Sequence, residues 1–180
     1  MAERTLKPVS RALAALFVIA AANPAKAEKL VFDHRLYPPL KAVLDGGDPA
    51  MIAYNASNPR YVVDLIAVKG KSASDWTEAL EIIARTPAKQ VRTAREWADE
   101  LRSKDERACR ATTLPIAEDS ASLTFERQSP GCKAARAPVA ITRVVAGKRS
   151  LFLLTVLFKS EPDAAAREQW LALLRSARIE

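Results

Sequence analysis

Leu151-Phe-Leu-Leu-Thr-Val-Leu-Phe158 decides the fold. The run is short and apolar on both faces, so it predicts a strand in the interior of a covered sheet. Working outward, Pro138–Ala146 is a second apolar run, and Gly147-Lys148-Arg149 between the two reads as a hairpin connection. On the other side, Pro162 suits the first position of a helix running to about Ala177, with Glu161 near its positive end. Its stripe of Trp170, Leu173, Leu174 and Ala177 is the nearest apolar surface in the chain, and consecutive elements usually lie adjacent in space. Further upstream, Arg110–Ala117 and Ser120–Arg127 flank Glu118-Asp119 as another hairpin, and Ser129-Pro-Gly131 makes a loop leading to Cys132.

The clearest helical spacing covers Ala88 to about Arg107, where Val91, Ala94, Ala98 and Leu101 recur and Trp97 widens the stripe. Glu100 and Lys104 sit as a favourable i,i+4 pair on its charged side. Asp75–Arg85 fits two patterns: Trp76, Ala79, Leu80 and Ile83 suit a helix, while Leu80, Ile82 and Ala84 suit alternation. Tyr61–Val68 predicts a strand apolar on both faces and closed by Lys69-Gly70. Before it, Leu30–Phe32 and Met51–Tyr54 suggest short strands, Asp45-Gly-Gly-Asp-Pro49 a turn, and Asn55-Ala-Ser-Asn-Pro59 a strand end. The sum is an α+β domain, a largely antiparallel sheet with helices packed on it.

The first 27 residues read as a secretory leader. Arg4, Lys7 and Arg11 precede the apolar run Ala12–Ala22, Asn23-Pro24 breaks it, and Ala25-Lys-Ala27 offers a small-x-small cleavage site before Glu28. Spanning a bilayer takes roughly 20 apolar residues, more than this run holds. No Cys lies near the cleavage site for lipid attachment, and no Arg-Arg pair precedes the run. Residues 28–180 then form a single globular domain in the periplasm or outside the cell. The formal charge of +7 overstates the basicity of that part, because the leader holds Arg4, Lys7, Arg11 and Lys26 against Glu3 alone. A mild positive excess suits an anionic surface component or an envelope protein as partner. Mixed charge without an aromatic-studded basic motif argues against nucleic acid. Cys109 and Cys132 are the only two cysteines, and in an oxidising compartment they predict a structural disulfide fastening the helix end to the sheet. Such a loop is worth about 3 kcal/mol in the chain-entropy picture.

Strands, a helix, two hairpins and a terminal helix over residues 51–177, with Asp75-Trp-Thr-Glu78 after a strand and Trp170 in the last helix, resemble the PsbP-like exported α+β domains. The resemblance implies a non-enzymatic accessory module with an antiparallel sheet between helical layers. It also implies strand over residues 78–84, and it carries no functional residue across.

Chemistry-bearing motifs are sparse. Gly70-Lys71-Ser72 follows a strand, but a phosphate loop needs glycine at position 65, which is Leu. His34 is the single histidine, so a catalytic triad or zinc site has little to draw on, and no catalytic, cofactor-binding or metal-binding residue is assigned. Trp76, Trp97 and Trp170 read as core packing rather than a ligand site. Asn55-Ala-Ser57 fits a glycosylation sequon of no weight. Asp64, on a face with Val62, Ile66 and Val68, and Arg143, with Val139, Ile141 and Val145, put charges among apolar neighbours. Each needs a partner or water, so they either pair across the sheet, mark a pocket, or reach a margin. The reading is an exported accessory or binding protein without cofactors. The alternatives are a carboxylate-based envelope hydrolase and a carrier of small apolar ligands.

Overall fold

A computed structural model describes residues 28–58, 61–85, 92–133 and 135–180. The leader, Ala88–Val91 and the side chains of the Asn55-Ala-Ser57 sequon lie outside what it describes. The elements, in order, are β1 (Leu30–Val31), α1 (Pro38–Gly46), β2 (Ile52–Asn58), β3 (Tyr61–Ser72), β4 (Asp75–Arg85), α2 (Ala94–Cys109), β5 (Thr112–Glu118), β6 (Ser122–Gln128), β7 (Val139–Ala146), β8 (Leu151–Phe158), α3 (Ala164–Ser176) and β9 (Arg178–Ile179). They form an α+β fold in which seven antiparallel strands run in the order β2-β3-β4-β8-β7-β6-β5, while β1 pairs with β9 in a separate ribbon.

Apolar content on both faces puts β8 at the centre, and all its residues are buried. Leu154, Val156 and Phe158 pack under α1 and α3, with Tyr37, Leu40, Trp170, Leu173 and Leu174. Leu151 and Leu153 point the other way, under Ala94, Trp97 and Ala98 of α2. Leu157 joins Leu65, Trp76 and Ala137 in a third cluster. All three tryptophans are therefore core. Burying side chains of this size supplies roughly 1.5–3 kcal/mol each, which holds both layers on the sheet.

Residues 75–85 are strand. β4 is paired along its length, with β3 on one side and β8 on the other. β3 does not end at Lys69-Gly70 but continues through irregular pairing to Ser72. Gly70 has φ +124°, and a Cβ there would collide with the Asp75 carbonyl, so this glycine lets β4 fold closely back. β2 likewise runs through Asn58 instead of stopping near Asn55.

Helix ends move in the same way. α2 begins at Ala94, where Thr93 and Glu96 form a reciprocal capping box; the expected first turn from Ala88 falls on residues outside those described. α3 begins at Ala164, capped by the Asp163 side chain on the Ala166 N–H. Pro162 therefore precedes the cap instead of opening the helix, and Ala177 is its C-terminal boundary. α1, which the sequence reading did not anticipate, opens on Pro38-Pro39 and stops at Gly47 in the left-handed conformation, φ +63°. No helix among the described residues is long and apolar enough to cross a membrane.

Candidate functional site

Asp64 and Arg143 lie in one cross-strand row, Asp64–Ile82–Leu154–Arg143, on the α1/α3 face. Three interstrand steps separate them by about 14 Å, so they flank the core without pairing. The side chain of the half-buried Asp64 has no hydrogen bond or ion pair among the described residues, and burial raises its pKa above the ordinary carboxyl value. Arg143 donates to Thr124 Oγ1 at 3.2 Å and lies 3.8 Å from Asp119. Burial lowers its pKa.

The other motifs resolve into structural parts. His34 sits in a single 3-10 turn, capped by Asp33, with no side-chain hydrogen bond among the described residues. Ser72 Oγ accepts the N–H groups of Ser74 and Asp75, so the Gly70-Lys-Ser72 hydroxyl closes the β3–β4 turn. No group of three or more His, Cys, Asp or Glu among the described residues could hold a metal ion.

Two buried acids were not foreseen. Glu78 is 5% exposed, and its Oε1 accepts from the Tyr37 hydroxyl and from Trp170 Nε1, the latter at 2.7 Å. Lys69 Nζ meets its Oε2 at 2.7 Å. Tyr37 and Trp170 pack ring on ring, with centroids 4.2 Å apart. Burial, with the Glu78 hydrogen bond, pushes the Tyr37 hydroxyl up to about 12. Glu126 is held in the same layer by Arg167 and by Gln128 Nε2 at 2.8 Å. Each carboxylate meets a cation and at least one hydrogen-bond donor, from the sheet and from the covering elements, which is how a buried charge is tolerated. These are struts between sheet and helices.

The opposite face is different. Between α2 and the 129–138 loop lies an open groove of about 250 Å³. Its floor is central sheet, with Leu153, Leu157 and Phe125 around the paired hydroxyls of Thr142 and Thr155, 3.2 Å apart. Leu101 and Asp105 of α2 form one wall, and Ala135 and Arg136 the other. Arg136 pairs with Glu81, and Arg127 reaches Asp105 at 3.6 Å while donating to the Ala137 carbonyl at 2.9 Å. Burial raises the carboxyls of Glu81 and Asp105, opposed by Arg136 and Arg127 respectively. The Cys109–Cys132 disulfide joins the last residue of α2 to the loop, so the covalent tie spans the two walls; the expected fastening is to this loop, not directly to a strand.

The groove was not legible beforehand because Glu81, Asp105 and Arg136 come from three distant segments. Glu78 had a faint signal, since alternation through Leu80 and Ile82 places it on an apolar face once β4 is taken as strand. No protein-family model matches the chain, and no curated protein is similar to it.

Proposed function

We propose that the protein is an exported, non-enzymatic accessory module that binds a short segment of an envelope partner in the α2-side groove. The observation that carries this reading is the groove itself. The α1/α3 face is closed over its sheet, whereas here the centre of the sheet is open between two walls that a disulfide holds together. Apolar floor and hydroxyls suit an extended peptide, and the Glu81–Arg136 and Asp105–Arg127 pairs offer charges of both signs at the walls. The leader-like residues 1–27 and the resemblance in element order to PsbP-like domains support an exported accessory role.

A photo-crosslinking residue in place of Leu101 or Ala135 tests it in the native envelope. Adducts are expected at these positions and not at Glu168 on α3; equal labelling at all three would sink the groove as the site.

One observation favours a second reading, a carboxylate hydrolase: Glu81 and Asp105 line the same groove with raised carboxyl pKa values. Glu81→Gln and Asp105→Asn separate the two. A hydrolase turns over envelope polymers and loses that turnover in both variants, whereas a binding module shows no turnover even in the unaltered protein.

A further inference from the structure

The two ends of the sheet are charged differently. At one end the β5–β6 and β7–β8 turns lie side by side, with the Ala146 N–H donating to the Ala121 carbonyl at 2.8 Å. The β1–β9 ribbon ends there too. The Glu28 carboxylate accepts the backbone N–H groups of Lys148, Arg149 and Ser150 at 2.7, 3.0 and 2.8 Å. Lys29 and Glu180 exchange two backbone hydrogen bonds of 2.9 Å. Lys29, Lys148, Arg175 and Arg178 are exposed around this end, with the guanidinium of Arg143 beneath them. The acids among them are occupied: Glu28 by backbone donors, Glu180 by Arg178, and Asp119 mainly by Ser122 and the turn N–H groups. Arg175 and Arg143 repel one another. Of the four exposed cations at this end only Arg178 meets a carboxylate among the described residues. At the opposite end Lys69, Lys71, Arg127 and Arg136 each meet one, and Arg107, Lys133 and Lys159 do not.

Chain geometry adds a second observation. The apolar run of the leader stops at Ala22, and the chain enters the basic end at Glu28. Fully extended, the intervening residues reach about 20 Å. In a precursor whose leader sits in the bilayer, this end is therefore the one held nearest the headgroups.

We infer that the basic end formed by Lys29, Lys148, Arg175 and Arg178 docks on anionic phospholipid headgroups and keeps the processed domain at the bilayer surface. The tether rests on the exported reading above; the charge pattern does not, and it is independent of the groove.

Protein beginning at Glu28, which contains every described element, can be co-sedimented with vesicles. Binding is expected to phosphatidylglycerol mixed with phosphatidylcholine and not to phosphatidylcholine alone. It should fade as salt rises from about 0.01 to 0.15 M and the screening length falls from about 30 to 8 Å. Each cation at an anionic surface contributes about fivefold, so Lys148→Glu, Arg175→Glu and Arg178→Glu together should lower partitioning by at least about 100-fold. Lys71→Glu, Lys133→Glu and Arg107→Glu, the same change at the other end, should leave it within about threefold. Excess soluble glycerol phosphate should not compete, because headgroups act together only when held in one surface. Equal binding to neutral vesicles, equal loss in both triple variants, or displacement by glycerol phosphate would each overturn the inference. The salt series on the unaltered protein keeps the test decisive even if a triple variant fails to fold. Failure here leaves the crosslinking test of the groove untouched.

Discussion

β8 serves two layers that are built by different means. On one face two helices cover it, Trp170 is fully buried, and the polar atoms of Glu78 are bound within the layer. On the other face a single helix covers part of the sheet, a loop covers more, and a disulfide joins the two across the remaining groove. The contrast teaches that packing and covalent linkage act as substitutes. Where apolar side chains fill the layer, no bond is needed; where an opening is kept, the walls are tied.

The largest expected effect is on the closed face. Trp170→Ala opens a cavity beneath α3 and removes one donor from Glu78, and should cost about 3–5 kcal/mol in urea melts. A midpoint unchanged from the wild type would dissolve the contrast by showing that α3 is not what seals this face.

Next comes the tied face. Cys109→Ser with Cys132→Ser should cost about 3 kcal/mol, the loop-closure term. Hydrogen exchange should rise in α2 and residues 129–138 far more than in α3. Uniform loss of protection would mean the bond stabilises the whole fold rather than the groove.

A smaller effect concerns pH at the margin of the closed face. Burial holds the Asp64 carboxyl above its ordinary 3.8, so the folded state favours the protonated form. Its contribution to stability is thus present at low pH and lost as pH rises from about 3.8 through the folded value. Asp64→Asn should match or exceed the wild type at pH 7, by under about 1 kcal/mol, and the advantage should vanish near pH 3. A destabilised variant at pH 7 would reveal that the carboxylate has a native partner. The smallest effect is the reference: Glu168→Ala, on the exposed side of α3, should shift stability by under about 0.5 kcal/mol.

Particular residues explain what was legible. The strands β7 and β8 and the body of α3 follow from apolar runs with unambiguous punctuation, Gly147 on one side and Pro162 on the other. Over Asp75–Arg85 periodicity alone was divided, because a segment of that length satisfies both spacings; tertiary pairing with β3 and β8 decided it. α1 offered little, since its N-cap is Tyr37 without a capping side chain and its apolar stripe is short. Thr93 and Glu96 did carry a start signal for α2, outweighed by apolar residues upstream. Asp64 and Arg143 were visible as charges among apolar neighbours, but their separation depends on strand order, which no local pattern encodes. The groove walls depend on it as well.

The ribbon that ties Lys29 to Glu180 bears on the order in which the molecule is made. β1 has no partner until residues 178–180 have emerged, and β4 shows a bare inner edge until β8 arrives behind α2 and three more strands. With the central strand made late, most of the sheet cannot be completed during synthesis, and contacts so distant in sequence form slowly. A nascent chain of this topology stays threadable until nearly all of it has been delivered. That delay leaves the apolar β8 segment without its sheet neighbours, and so open to wrong pairings, until the late strands meet.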